Sequence, residues 1–184
     1  MPNHITNKIL FTGLTPDTKA RLLEKLLNAE GKVDFAVLLP MPLNIWQGSV
    51  SQKHEQAFKA GNGLDWARVN WGTKWGAYDQ KPVEQTEDSV TLVFDTAWSP
   101  PRGWLVAIFN LFEISFEYHW LDEGESHGHS GHFKIDPDNK WDIYDWDEVP
   151  CSDEMQKHLH LLKWGVEEFP PEEDEETADA PAAT

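Results

Sequence analysis

The chain has 184 residues, with 15 Lys and Arg against 32 Asp and Glu, a formal charge of −17, one Cys and ten Trp. That length suits one domain with a sizeable core, and the charge argues against a protein that coats DNA, RNA or an anionic membrane, all of which attract Lys and Arg. The single Cys151 excludes a disulfide scaffold and a Cys-ligated iron–sulfur cluster, no apolar run nears the roughly 20 residues of a membrane span, and the first residues lack a signal-peptide core, so a soluble cytoplasmic protein is expected.

Ile5 to Thr12 predicts a strand. Ile5, Ile9 and Phe11 share one face at period two, Asn7 interrupts it, and Gly13 ends it. Thr15-Pro16-Asp17 supplies an N-cap, a Pro at the first helical position and an acid in the first turn. Leu22, Leu23, Leu26 and Leu27 then form a helical stripe that Gly31 stops. Val33 to Leu39 reads as a mostly apolar strand closed by Pro40-Met41-Pro42, which completes a β–α–β unit.

Residues 42–88 predict a helical insertion, with helices around Val50–Ala60 and Leu64–Trp71 and four Trp at positions 46, 66, 71 and 75. Ser89 to Asp95 alternates as a strand, and Ser99-Pro100 repeats the earlier helix-start signal. Trp104, Leu105, Ile108, Phe109 and Phe112 make a second helical stripe, and Ile114, Phe116, Tyr118 and Trp120 line one face of a further strand. Phe133 and Ile135, the turn Asp136-Pro137-Asp138-Asn139, and Trp141 and Ile143 read as a hairpin. Ser152 starts a last helix through Lys163, ended by Gly165.

Strand, capped helix, strand thus occurs twice. The fold class expected is α+β, a ferredoxin-like split β-α-β sandwich with a Trp-rich helical insertion and an extra C-terminal hairpin and helix. Residues 1–166 form the single domain. Residues 167–184 carry eight acids and no base and read as a disordered acidic tail, which leaves −9 on the body.

Trp71, Lys74, Trp75, Tyr78 and Asp79 lie within nine residues, and Gly72 and Gly76 favour a tight turn after a helix. Two readings stand: a platform for a base, a sugar or a peptide with Lys74 adding a cation–π contact, or aromatics that lock the insertion onto the sheet. Trp98 would staple the helix that Ser99 caps, and the same helix end with Arg102 could seat an anion.

His127, His129 and His132 beside Asp122, Glu123 and Glu125 could surround Zn²⁺ or Ni²⁺, or form only an exposed turn made flexible by Gly128, Ser130 and Gly131. Removal of Met1 would leave a Pro2 amine, with Asn3, His4 and Lys8 nearby, as a base or nucleophile. Glu113, Glu117 and the Asp142, Asp145, Asp147 run offer paired carboxylates that no spacing selects. No P-loop, dinucleotide fingerprint or nucleophile elbow is present, and no cofactor is expected.

Several stretches in order carry a resemblance: Pro2-Asn3-His4 with Asn7, Val33-Asp34-Phe35 running into Pro40-Met41-Pro42, Asn70-Trp71-Gly72-Thr73-Lys74-Trp75-Gly76-Ala77-Tyr78-Asp79, and Phe94-Asp95-Thr96-Ala97-Trp98-Ser99-Pro100-Pro101. Over about residues 1–145 the chain resembles the YubB-type ferredoxin-like proteins of phages and plasmids. It departs where relatives begin Pro-Asn-Trp-Cys, and where the loop after Glu123-Gly124 is His-rich. The resemblance implies a ferredoxin-like fold and a mobile-element origin, and no reaction.

The function expected is therefore a non-enzymatic accessory protein of a phage or plasmid, acting by protein–protein contact in the host cytoplasm. Trp and Tyr anchors with an acidic rim suit a basic partner. One alternative is an acidic nucleic-acid mimic that inhibits a host DNA-binding or defence protein. Another is a small enzyme or metal-binding protein that uses Pro2 or the His127–His132 loop. Direct nucleic-acid binding is not expected of a body this acidic.

Overall fold

The period-two run near the start of the chain forms β1 (His4–Phe11), and β1 is a central strand. It pairs antiparallel with β3 (Val90–Ala97) on one side and β4 (Phe116–Asp122) on the other. With β2 (Glu84–Gln85), β5 (His129–Phe133) and β6 (Tyr144–Pro150) the sheet runs β2-β3-β1-β4-β5-β6, every pair antiparallel. This computed structural model describes residues 3–125, 127–133 and 144–167, with backbone alone for 144–148. Pro2, the hairpin turn with Trp141 and Asp142, the side chains of Asp145 and Asp147, and the tail beyond residue 167 lie outside the described residues.

One face of the sheet carries Ile5, Asn7, Ile9 and Phe11 of β1, Val90, Leu92 and Phe94 of β3, and Phe116, Tyr118 and Trp120 of β4, all buried. Two helices cover it. In α1 (Pro16–Leu26) the Thr15 hydroxyl accepts the Thr18 amide at 3.1 Å, Pro16 opens the helix, and Leu22 and Leu26 face the core. Each such Leu contributes on the order of 1.5–3 kcal/mol by leaving water. In α5 (Arg102–Phe112) four residues of the predicted stripe, Trp104, Leu105, Ile108 and Phe109, are buried, and the fifth, Phe112, is half-buried against the core. β1-α1 and β3-α5-β4 are the split β-α-β plan, so the α+β ferredoxin-like reading holds.

The opposite face is not open to solvent throughout. The last helix, α6 (Asp153–Trp164), is capped by the Ser152 hydroxyl accepting the Met155 amide and stopped by Gly165 in the left-handed region. It packs on β1 and β4. Its Lys163 ammonium meets the Asp95 carboxylate of β3 at 2.9 Å, with 8% and 14% of those side chains exposed. Asp95 also accepts the Thr6 hydroxyl at 2.8 Å.

Three expectations need correction. Residues 33–39 are not a strand: Phe35–Leu38 is a short helical turn, α2, whose start is capped by the Asp34 carboxylate accepting the Ala36 amide at 2.9 Å. Phe35 swings into the core against Trp71, Phe94 and Trp104. The Gln80 side chain takes the place of a strand neighbour, accepting the Val33 amide at 2.7 Å and donating to its carbonyl at 2.9 Å. The edge of β3 is lined instead by β2 and by Tyr78 and Lys81, whose amides donate to Asp95 and Val93.

Ser99 does not cap α5. Pro101 holds that position without a side-chain bond, and the Ser99 hydroxyl donates to the Gly72 carbonyl at 2.6 Å. The His-rich stretch is not wholly a flexible loop, because residues 129–133 are β5.

The insertion contains α3 (Gln52–Ala57) and α4 (Gly63–Asn70), close to the two helices its pattern predicts. Trp46 stacks on His54 at 4.0 Å, and Trp66 packs edge-on against Trp71.

Candidate functional site

The Asn70–Asp79 segment is built around one tight turn. Gly72 has φ +88, and a Cβ there would meet the Arg102 amide nitrogen at 2.8 Å. Gly103 admits the Asn70 carbonyl where a side chain would collide with it, and the Trp104 amide donates to the Trp71 carbonyl at 3.3 Å. Backbone from residues 70–72 thus occupies the start of α5. The anion seat expected there with Arg102 is covered, and Arg102 stands exposed on the first turn.

Trp71 belongs to the core, with its indole N–H donating to the Leu39 carbonyl at 3.0 Å. It does not share a face with Trp75. The turn sends Trp75 outward, 39% exposed, and Trp98 joins it from the end of β3, 53% exposed. The Lys74 ammonium lies 4.6 Å from the Trp75 ring and 5.8 Å from the Trp98 ring, so the three form one cation–π corner.

Trp98 has φ +73, the left-handed region, which a bulky residue rarely adopts. It is not the buried staple of α5. Asp79 is exposed at φ +46, a conformation Asp tolerates.

Tyr78 lies beside this corner, its ring 6.4 Å from Trp75. Its hydroxyl donates to the Thr96 carbonyl at 3.1 Å, so the 2.7 Å contact with His4 Nδ1 has the imidazole donating. Burial first, then the carboxylates of Asp95, Asp79 and Glu123, push the Tyr78 phenol well above its usual range, and it stays neutral.

The three candidate metal ligands do not converge. His127 is exposed, His129 stacks on Trp120 at 4.2 Å with its Nε2 2.7 Å from Glu125, and His132 pairs across the strands with Glu117. His129 therefore faces the α1–α5 side and His132 the α6 side. Among the described residues no group of three or more His, Cys, Asp or Glu side chains is placed to hold a metal ion.

A second cluster lies on the α6 side and is invisible in the one-dimensional pattern. Register places Lys8 of β1, His119 of β4 and Ser130 of β5 in one row, with Glu117 and His132 in the next. His119 is buried; its Nδ1 lies 2.7 Å from the Ser130 hydroxyl, and its Nε2 lies 3.6 Å from Glu117 without a hydrogen-bond partner.

Burial is the main cause that lowers the His119 pKa; Lys8 and His132 add to it, and Glu117 opposes it. Burial likewise lowers Lys8 and His158. Glu117, His119, Ser130 and His132 line a cavity of about 450 Å³ completed by Val149, Pro150 and Met155, and a neighbouring groove of about 500 Å³ contains Lys8 and His158. Glu117 and Lys8 stand out weakly as charges in alternating strands; nothing local links them to Ser130, which the loop reading placed in a flexible turn.

Among the described residues no helix is long and apolar enough to cross a membrane. The model of one protein family, a ferredoxin-like domain in Api92-like protein, matches residues 70–162. That span runs from the Gly72 turn nearly to the end of α6 and holds the cation–π corner and most of the second cluster. No curated protein and no solved structure matches the chain.

Proposed function

The chain belongs to the family of ferredoxin-like domains in Api92-like proteins, and from that premise we propose that it is a phage or plasmid accessory protein that binds another protein through the Lys74–Trp75–Trp98 corner. The observation that carries this reading is Trp98, a large aromatic held outward at positive φ. Such a conformation costs about 1–3 kcal/mol and persists where surrounding structure enforces it, commonly at binding sites.

Two of the four stretches behind the YubB-type resemblance, Asn70–Asp79 and Phe94–Pro101, meet at this corner, and the resemblance supplies the mobile-element setting. Asp79 is exposed nearby, and Asp122 and Glu123 adjoin the β1 end through Asn3 and His4. Indole faces within an acidic rim suit a partner that offers Arg or Lys side chains.

Replacing Trp98 by Gly separates binding from folding. The variant should stay within about 2 kcal/mol of the parent's stability, because relief of the left-handed strain offsets the lost indole contacts, as read by urea denaturation. It should also lose, by tenfold or more, the proteins that the parent captures specifically from plasmid-bearing or infected host cells, as should Trp75→Ala. A Trp98→Gly variant that loses more stability than this and captures the same set would show that Trp98 is a structural residue.

A further inference from the structure

The α6-side cluster has the parts of an acyl-transfer site. A Ser130 hydroxyl that donates to His119 Nδ1 at 2.7 Å leaves the imidazole proton on Nε2, which faces the Glu117 carboxylate 3.6 Å away, just beyond hydrogen-bond distance and within reach of a small side-chain shift. Nucleophile, base and orienting acid then stand in the order Ser, His, Glu, with the two ring nitrogens exchanged relative to the usual serine-hydrolase arrangement. Ser130 borders the 450 Å³ cavity, whose other walls include Val149, Pro150 and Met155. Ser152 and Met155 bring the first turn of α6, the positive end of its dipole, to the same rim.

We infer that Ser130 is a nucleophile activated by His119, with Glu117 as the positioning residue, and that the cavity takes small carboxylic esters with an apolar acyl group. This rests on different residues from the Lys74–Trp75–Trp98 corner and stands or falls apart from it.

In the first step Ser130 Oγ bonds to the ester carbonyl carbon as its proton passes to His119 Nδ1, and the carbonyl π pair moves onto oxygen. When that pair returns, the bond to the alcohol oxygen breaks and the imidazolium gives the leaving group its proton. Water then attacks the acyl-enzyme with His119 again as base, releasing the carboxylic acid and restoring Ser130. Neutral His119 is the form this requires, and its burial favours that form.

The probes are p-nitrophenyl acetate and a fluorophosphonate, used on the full chain, with the adduct located by peptide mass spectrometry. The expected adduct is on Ser130, with fluoride as leaving group; it is absent in Ser130→Ala and slowed at least tenfold in His119→Gln, and ester hydrolysis falls in parallel. Among the described residues the charged and titratable groups that act on His119 are Glu117 on its own strand, Lys8 on β1 and His132 on β5, and His158 of α6 lies beside Lys8.

Labelling should therefore rise with pH through a midpoint below the ordinary 6.5 of an imidazole, because burial favours the neutral ring. In Glu117→Gln the midpoint should move lower still, because the carboxylate that favours the imidazolium is gone; a merely structural Glu117 would leave the midpoint in place. No adduct at pH 8 in a folded protein, or an adduct on Ser130 formed equally fast in His119→Gln, overturns the assignment.

Discussion

Lys163→Met is expected to destabilise the protein by about 3–5 kcal/mol, because it leaves the Asp95 carboxylate charged and buried without its cation. The pair is 2.9 Å apart, nearly closed to solvent, and ties α6 to β3 across the sheet. Attraction between the two groups is not the main source of the effect. Desolvating both charges offsets much of the gain, so the intact pair adds little beyond a well-packed apolar pair.

The double variant Lys163→Met, Asp95→Asn tests this directly. With no charge left to bury, it should recover a large part of the loss, and the two changes should be strongly non-additive in urea denaturation. If the single variant costs less than about 1 kcal/mol, the ion pair is solvent-screened and α6 is held by its apolar contacts alone.

Asn7→Leu is expected to cost about 3 kcal/mol, although the new side chain is nearly isosteric and the site is apolar. Asn7 sits fully buried at the centre of the α1–α5 face. Its Nδ2 donates to the Ile5 carbonyl at 2.8 Å, the Phe94 carbonyl at 3.2 Å and the Thr96 hydroxyl at 3.0 Å. Its Oδ1 accepts the Tyr118 hydroxyl at 2.5 Å, and Thr96 passes the chain on to the Ser99 carbonyl at 2.9 Å.

Leu would remove the acceptor from Tyr118 and the donor from two strand carbonyls at once. Adding Tyr118→Phe should return part of the stability, since removing both ends of a buried hydrogen bond costs less than removing one. A thermal midpoint for Asn7→Leu equal to the parent's would show that the network contributes nothing.

The interruption of the apolar period at Asn7 was visible in the sequence, but its reason was not: its partners lie on strands that the chain reaches much later. Local signals served well where one element carried the whole pattern. The Thr15 and Ser152 caps, the Gly165 stop and the α5 stripe all fall as the residues predict.

Val33–Leu39 failed because a short apolar run has no period to separate a strand from a buried helical turn. Asp34, two residues before the amide it caps, was the available clue. Ser99-Pro100 failed because a tertiary contact, the Trp71 carbonyl that accepts the Trp104 amide, took over the role a serine usually performs. The cation–π corner was half legible: Lys74 and Trp75 are adjacent, whereas Trp98 reaches them only because β3 ends there, and Trp71 was drawn inward by Phe35. The Ser130–His119–Glu117 group needed the register of β4 and β5, which depends on the whole sheet.

The central place of β1 also bears on how the chain reaches its fold. Phe11 must find Val90, and Ile5 must find Asp122. On the ribosome this central strand therefore waits, with Ile5, Ile9 and Phe11 uncovered, until both of its neighbours have emerged. Closing such long loops precedes any gain from pairing, and partly made chains with exposed apolar strands aggregate readily. The centre of this sheet therefore assembles only once β4 has followed β3, and the demand for chaperone protection is greatest just before it.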